Sequence, residues 1–465
     1  MQTSILELSH QLRRRELSPV ELTRDCLAKI EKLNPVLNAF ITVTADSALR
    51  EAAEAEAEIQ RGHWRGPLHG VPIGLKDLID TAGVRTTAAS ALFKDRIPSE
   101  DAEVVRRLKN AGAVLLGKQN LHEFAFGGSS VISYFGEVRN PWTPEHIAGG
   151  SSGGSTAAVA AGMCYAAIGT DTGGSIREPA SLCGVVGLKP TYGRVSARGV
   201  VPLAPSLDHV GPITRTVADL AVLLQAIAGH DPRDPNSANT PVDDYLAALD
   251  RKIGKIRIGV PRKYFYEKLD SEVASAVEQA LAVLKSHGAE LREVELQVPT
   301  DWTLLPAEVY LCHADLVVRA AELYQPETLR RIRAGQNISA AEAEARRRDL
   351  KKVRSEIDQV FEDVQVLVTP TTPLPAPSLA DMERDPDQLR PKELTLLPNT
   401  RPFSMWGLPA VSVPCGFTKS GLPIGLQITG AHWSESSVLQ VAHLYEGSTD
   451  WHRRQPDLSF ADQRV

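Results

Sequence analysis

What this chain lacks narrows its chemistry before any motif is considered. Its five cysteines, Cys26, Cys164, Cys183, Cys312 and Cys415, are odd in number, scattered, and include no Cys-x-x-Cys pair. That excludes a disulfide framework and a zinc ribbon and fits a reducing compartment. The 51 basic and 57 acidic residues leave a net charge of −6, and neither sign dominates a long segment. A nucleic-acid groove would need a basic face, so no nucleic-acid partner is expected. The Arg346–Arg348 and Lys351–Lys352 cluster reads as the solvated side of a helix. No apolar run approaches the ~20 residues of a membrane helix; the longest candidate, residues 157–168, is interrupted by Gly162. Met1–Leu6 lacks the basic-then-apolar order of a signal peptide. The expectation is a cytoplasmic protein without a membrane anchor, a metal or a cofactor.

Residues 1–62 read as helices. Ser18-Pro19-Val20-Glu21 has the form of a capping box with proline at the first helical position. From residue 70 short apolar strands alternate with helices, as in a layered α/β domain. Expected strands are 71–75, 113–117, 163–169, 256–260, 291–298 and 364–368, and 410–415 paired with 424–429. Expected helices are 101–110, 155–162, 216–228, one capped by Asp270, and two near 302–325 and 340–362. Residues 369–397 contain a proline-rich, charged stretch, expected to be a rim loop. No repeat and no linker is visible, so the chain reads as one domain, 1–465, with a core over 65–230.

Three motifs carry chemistry. Gly70-Val71-Pro72-Ile73-Gly74-Leu75-Lys76-Asp77 ends an apolar strand on a lysine. Gly149-Gly150-Ser151-Ser152-Gly153-Gly154-Ser155 and Gly169-Thr170-Asp171-Thr172-Gly173-Gly174-Ser175-Ile176-Arg177 are glycine–serine turns at strand–helix junctions. A serine hydroxyl needs a neighbouring base, and none of the 12 histidines lies within either turn. A lysine carried inward on an apolar strand can serve if burial lowers its pKa. Taken singly, such a lysine is more often a surface residue and such a turn a flexible loop.

Together the three motifs, in identity and spacing, resemble the amidase signature family of serine hydrolases. The resemblance is strong over residues 65–230 and weaker to the C-terminus. It implies a large mixed β-sheet sandwiched between helical layers. It implies a Ser–cis-Ser–Lys triad, with Ser175 the acyl-forming nucleophile, Ser151 the bridging serine and Lys76 the base. It places the oxyanion hole at Thr172, Gly173, Gly174 and Ser175, with Asp171 and Arg177 supporting the turn. Ser152 is expected to cap the following helix. Phe126, Gly127, Gly128 and Tyr134 match the segment lining the family's acyl site. Phe403 and Trp406 would close the far side, and Arg194 is a candidate partner for a substrate carboxylate. That wall reads as apolar, which suggests an uncharged small-molecule substrate, an aryl amide or a carbamate (urethane).

Gly149–Gly153 also satisfies G-x-S-x-G, the nucleophile elbow of α/β-hydrolases. That reading needs a strand directly before the turn, whereas 140–146 reads as a turn-rich loop. A phosphate loop lacks its Gly-Lys-Ser/Thr, and a non-catalytic binding protein would lack a triad member. Within the family, Leu188–Ser196 and Leu207–Pro212 look like the glutaminase subunit of the tRNA-dependent amidotransferase, which would add partner subunits. Asn399–Ser404 looks more like a free amidase, and Leu396 and Leu397 stand where an acid for a glutamine amino group is expected. The free amidase is the favoured reading.

Overall fold

The computed structural model describes residues 3–251, 254 and 256–464. Its centre is an eleven-stranded mixed sheet. The thirteen strands of the described chain are β1 (Phe40–Val43), β2 (Pro72–Lys76), β3 (Val114–Gln119), β4 (Arg139–Asn140), β5 (Thr143–Ile147), β6 (Ala166–Asp171), β7 (Val186–Lys189), β8 (His209–Thr214), β9 (Arg257–Val260), β10 (Glu290–Glu293), β11 (Val366–Pro370), β12 (Ala410–Phe417) and β13 (Pro423–Gly430). The sheet order is β1-β3-β2-β6-β8-β7-β12-β13-β11-β9-β10, and β4-β5 form a separate ribbon. Every residue of β2, β3, β6, β7, β8, β11 and β13 is buried. A sheet covered by helices on both faces demands such continuous apolar runs.

The register positions the chemistry. β2 runs parallel to both β3 and β6, with Ile73 opposite Ala166 and Leu75 opposite Ile168. Lys76, the last residue of β2, therefore stands abreast of the end of β6. The helix Gly153–Ala160 is buried along its whole length, because Gly, Ser, Thr, Ala and Val leave it slender enough to pass under the sheet. Ser271–Ser286 buries Val273, Val277, Ala280, Leu281 and Leu284 on one stripe and is capped by Asp270, as its sequence predicts.

Several expectations are corrected. Strand β1 lies inside the segment read as all-helical; four residues at a sheet edge carry too little pattern to announce themselves. At Ser18 the hydroxyl accepts from the Val20 and Glu21 N–H groups but gives its proton to Glu56. The reciprocal box forms instead between Ser4 and Glu7. Of the expected 291–298 strand only 291–293 pair, as part of β10. Within the expected rim loop, Leu379–Glu383 and Pro386–Leu396 are helices, capped by Ser378 and Asp385. Proline at a first helical position starts a helix rather than preventing one. Leu379, Met382, Leu389 and Leu396 pack with Ile147 and Leu182 and hold this segment against the body. No helix among the described residues is long and apolar enough to cross a membrane.

Candidate active site

Lys76 ends β2 wholly out of solvent. Its Nζ lies 2.8 Å from Ser151 Oγ and 2.8 Å from Thr170 Oγ1. Burial pulls its pKa down to about 7, against the opposing pull of the Asp171 and Asp208 carboxylates. The neighbouring Asp77 turns away, accepting from the Thr87 N–H and hydroxyl.

Ser151 follows a cis peptide bond from Gly150 and is fully buried. Its carbonyl accepts from the His122 N–H at 3.2 Å and the Ser130 hydroxyl at 3.4 Å. The Gly150 N–H donates to Glu178 Oε2 at 2.8 Å. Burial raises Glu178 well above the ordinary carboxyl value, partly offset by that N–H. Ser152 does not cap the helix with its side chain. Its hydroxyl bridges to Thr170, donating to the carbonyl at 3.1 Å and accepting from the N–H at 3.3 Å. That exchange ties the Ser151 turn to β6.

The Ser175 turn follows β6. Ser175 is 8% exposed, whereas Ser151 and Lys76 have no exposed surface; of the three, it is the one open to a substrate. The turns meet through the Ser152 N–H and the Ser175 carbonyl at 3.2 Å. Among the described residues the Ser151 and Ser175 hydroxyls do not hydrogen-bond to each other. Such contacts are often loose before substrate binds and tighten on the reaction path.

Asp171 shapes the turn. Its carboxylate accepts from the N–H groups of Gly174 and Ile176 at 2.8 and 3.2 Å. Arg177 Nε and Nη2 grip it bidentately, each at 2.9 Å. Arg177 also donates to the Thr400 carbonyl, Gln427 Oε1 and Ser404 Oγ. Both members of the pair are fully buried. Burial alone would raise the Asp171 pKa, but the Arg177 charge and hydrogen bonds hold it well below the usual carboxylate range. The expected oxyanion strip is corrected at Gly174, whose N–H is committed to Asp171. The Thr172, Gly173 and Ser175 N–H groups have no partner among the described residues. Thr172 Oγ1 donates to Asp208 at 2.6 Å.

The expected substrate contacts divide. Gly128 faces Leu397, and Gly127 lies against His122. Phe126 is buried under the Arg390 guanidinium, 5.4 Å from its ring centre. Tyr134 is 46% exposed and packs edge-on against Phe135. Arg194 does not wait for a carboxylate from outside. It is buried, donates to the Pro241 carbonyl at 2.7 Å, stacks on Trp433 and lies 3.6 Å from buried Glu435. Phe403 and Trp406 are core residues packed with Phe265, not an exposed wall. Trp406 also borders a cavity of about 830 Å³ whose walls include neither Ser151 nor Ser175.

Three features were missed. A strand, β5, does precede the Ser151 turn, but in the separate ribbon and not the main sheet. A buried acid does stand one turn before Leu396 and Leu397, at residue 393. Glu393, fully buried, accepts from Ser129 Oγ at 2.6 Å and Arg331 Nη1 at 2.8 Å. Burial opposes its charge, yet His122, Arg331 and Arg390 hold its pKa below the ordinary value. The third is Arg401, against Gly173. The recurrence of Leu389, Glu393 and Leu396 on one helix face was the available signal for Glu393, once 386–396 is read as helix.

The family model described as Amidase matches residues 21–439. The chain belongs to the amidase family. Among its curated amidase relatives is the A subunit of the glutamyl-tRNA(Gln) amidotransferase of Moorella thermoacetica. It is 45% identical, with 98% of each chain aligned. Further relatives with that name are 42–45% identical. The ranking of free amidases above the amidotransferase is therefore not supported. Among solved amidase structures, a peptide amidase in complex with chymostatin superposes with a TM-score of 0.84 at 33% identity, over 98% of this chain and 99% of that one. A 6-aminohexanoate cyclic dimer hydrolase gives 0.88 at 31%, with the same coverage.

Proposed function

We propose that this amidase cleaves amide C–N bonds through an acyl-enzyme on Ser175. The observation that carries the reading is the fully buried Lys76 amine at 2.8 Å from Ser151 Oγ. Neutral Lys76 takes the Ser151 proton as Ser151 takes that of Ser175. The Ser175 oxygen bonds to the carbonyl carbon, and the Gly173 and Ser175 N–H groups receive the oxyanion. The proton returns through Ser151 to the nitrogen, the C–N bond breaks and the amine leaves. Water then adds to the ester, giving its proton to the same relay, which returns it to the Ser175 oxygen as the Ser175–acyl bond breaks.

The substrate reading best supported by the relatives is glutamine, hydrolysed by a subunit that delivers ammonia within an amidotransferase. A second reading, a free amidase, is favoured by one specific feature. Leu397 stands against Gly128 and Gly174, and the nearby acid Glu393 is already engaged by Ser129 and Arg331. A glutamine α-ammonium finds no unengaged carboxylate there.

Fluorophosphonate labelling with peptide mapping tests the mechanism. Label is expected on Ser175, absent in Ser175→Ala and slowed in Ser151→Ala and Lys76→Ala. Label on Ser151 that survives Lys76→Ala overturns it and revives the nucleophile elbow. Glutaminase activity of the isolated chain, measured against butyramide and an aryl carbamate, then separates the two substrate readings.

A further inference from the structure

Arg401 is a cation without a counter-charge beside the oxyanion strip. Its Cγ would lie 3.6 Å from a Cβ placed on Gly173, and the adjoining Thr400 hydroxyl donates to the Gly173 carbonyl at 2.8 Å. The guanidinium carbon sits over Trp302, 3.8 Å from the ring centre. Among the described residues no carboxylate pairs with it, and its side chain donates no hydrogen bond. The titratable groups that act on it are Arg390, whose charge repels it, and the Tyr264 phenol, which is neutral at neutral pH. Burial and Arg390 bring its pKa down to about 10, so it stays cationic at neutral pH. The buried arginines Arg177 and Arg331 are charge-paired, Arg177 with Asp171 and Arg331 with Glu327 and Glu393. A partly buried guanidinium packed on an indole and left without a carboxylate keeps its planar fork of donors for one, the partner that fits it bidentately.

We propose that Arg401 is the anchor for a carboxylate on the substrate, so that the preferred substrates are amides that also carry a carboxylate. This rests on the Ser175 reading for its location but does not depend on glutamine being the substrate. It replaces Arg194, which is sealed in the core, as the residue that reads an anion. It also replaces the uncharged aryl amide expected from the sequence.

The test is protection of Ser175 from fluorophosphonate by matched ligands. Succinamate, glutaramate and adipamate are compared with propionamide, butyramide and pentanamide. Each protein is measured against its own unprotected rate. At least one carboxylate-bearing amide is expected to protect the wild type on the order of tenfold or more tightly than its neutral match. Arg401→Gln is expected to erase that ratio, and Arg401→Lys to keep part of it, since a point charge remains without the planar fork. Equal protection by charged and neutral amides in the wild type, or an undiminished ratio in Arg401→Gln, overturns the proposal. If turnover of every amide is absent while protection follows this pattern, the hydrolytic reading fails and the anion anchor stands. If Ser175 takes no label at all, both fail.

Discussion

Lys76 Nζ sits 2.8 Å from both Ser151 Oγ and Thr170 Oγ1, on the sheet's floor and out of reach of water. The two carboxylates that favour its charge, Asp171 and Asp208, make no hydrogen bond to it. Burial therefore dominates, and the amine titrates at about 7. A base must be unprotonated to accept, so activity requires the neutral amine. The profile of kcat/KM against pH is expected to rise with an acid-side inflection near 7 and to stay flat into mild alkali. An inflection near 10, the ordinary lysine value, would show that burial does not lower the Lys76 pKa in solution.

Thr170 gives a way to move that inflection. Its hydroxyl accepts from the amine, and acceptance is stronger from an ammonium than from a neutral amine. Removing it disfavours the charged form. Thr170→Val is expected to shift the acid limb of kcat/KM to lower pH, by several tenths of a unit or more, and to reduce the plateau as Lys76 loses its orientation. A limb that stays put would mean that Thr170 does not contact the amine in solution.

Lys76 was legible in the sequence because an apolar strand cannot end on a lysine without carrying it inward or exposing it, and the two glycine–serine turns gave it a reason to go inward. Eight of the eleven sheet strands were legible for the same reason, as short apolar runs, whereas β1, β7 and β8 were not expected. Three other features were not. Glu393 and Arg401 come from residues 385–401, whose helices are held by contacts to Ile147 and Leu182 far away in sequence. The contacts of Glu393 with Ser129 and of Arg401 with Gly173 are tertiary. Phe403 and Trp406 were assigned to a substrate wall because apolar residues near a site look alike whether they line a pocket or fill the core behind it. Gly174 shows the limit of motif reading: its N–H was counted as an oxyanion donor, and Asp171 uses it.

The Asp171–Arg177 pair should be far more costly to break than a surface pair. Arg177 makes bonds to three elements, and removing one partner leaves the other charge buried and alone. Arg177→Met is expected to lower stability by about 3–5 kcal/mol, read by urea denaturation, with loss of labelling at Ser175. The pH dependence follows from the Asp171 shift. Its native pKa lies below the unfolded value, so its contribution is full above pH ~4 and is lost as pH falls toward the native pKa. Wild-type stability should then fall faster in strong acid than that of the double variant Asp171→Asn/Arg177→Met. Parallel acid profiles would mean that the pair is already broken in solution.

Gly174 offers the sharpest separation of geometry from chemistry. It has φ +141, and a Cβ there would lie 2.2 Å from Thr400 Oγ1 and 2.8 Å from Thr400 Cβ. Alanine can neither adopt this conformation without strain nor find room. The turn must move, and with it the Gly174 N–H held by Asp171 and the Ser175 N–H beside it. A shift near 1 Å in a preorganised site is worth about a hundredfold in rate. Gly174→Ala is accordingly expected to lower kcat/KM by about that factor. Thr400→Ser removes only a methyl group and keeps the hydroxyl bonded to the Gly173 carbonyl. It cannot relieve the clash, because the obstructing atom is the oxygen. Thr400→Ala removes that oxygen, so Gly174→Ala/Thr400→Ala should recover part of the loss that Gly174→Ala/Thr400→Ser does not. Equal recovery in the two double variants would locate the defect in the backbone conformation of residue 174 alone and not in the clash.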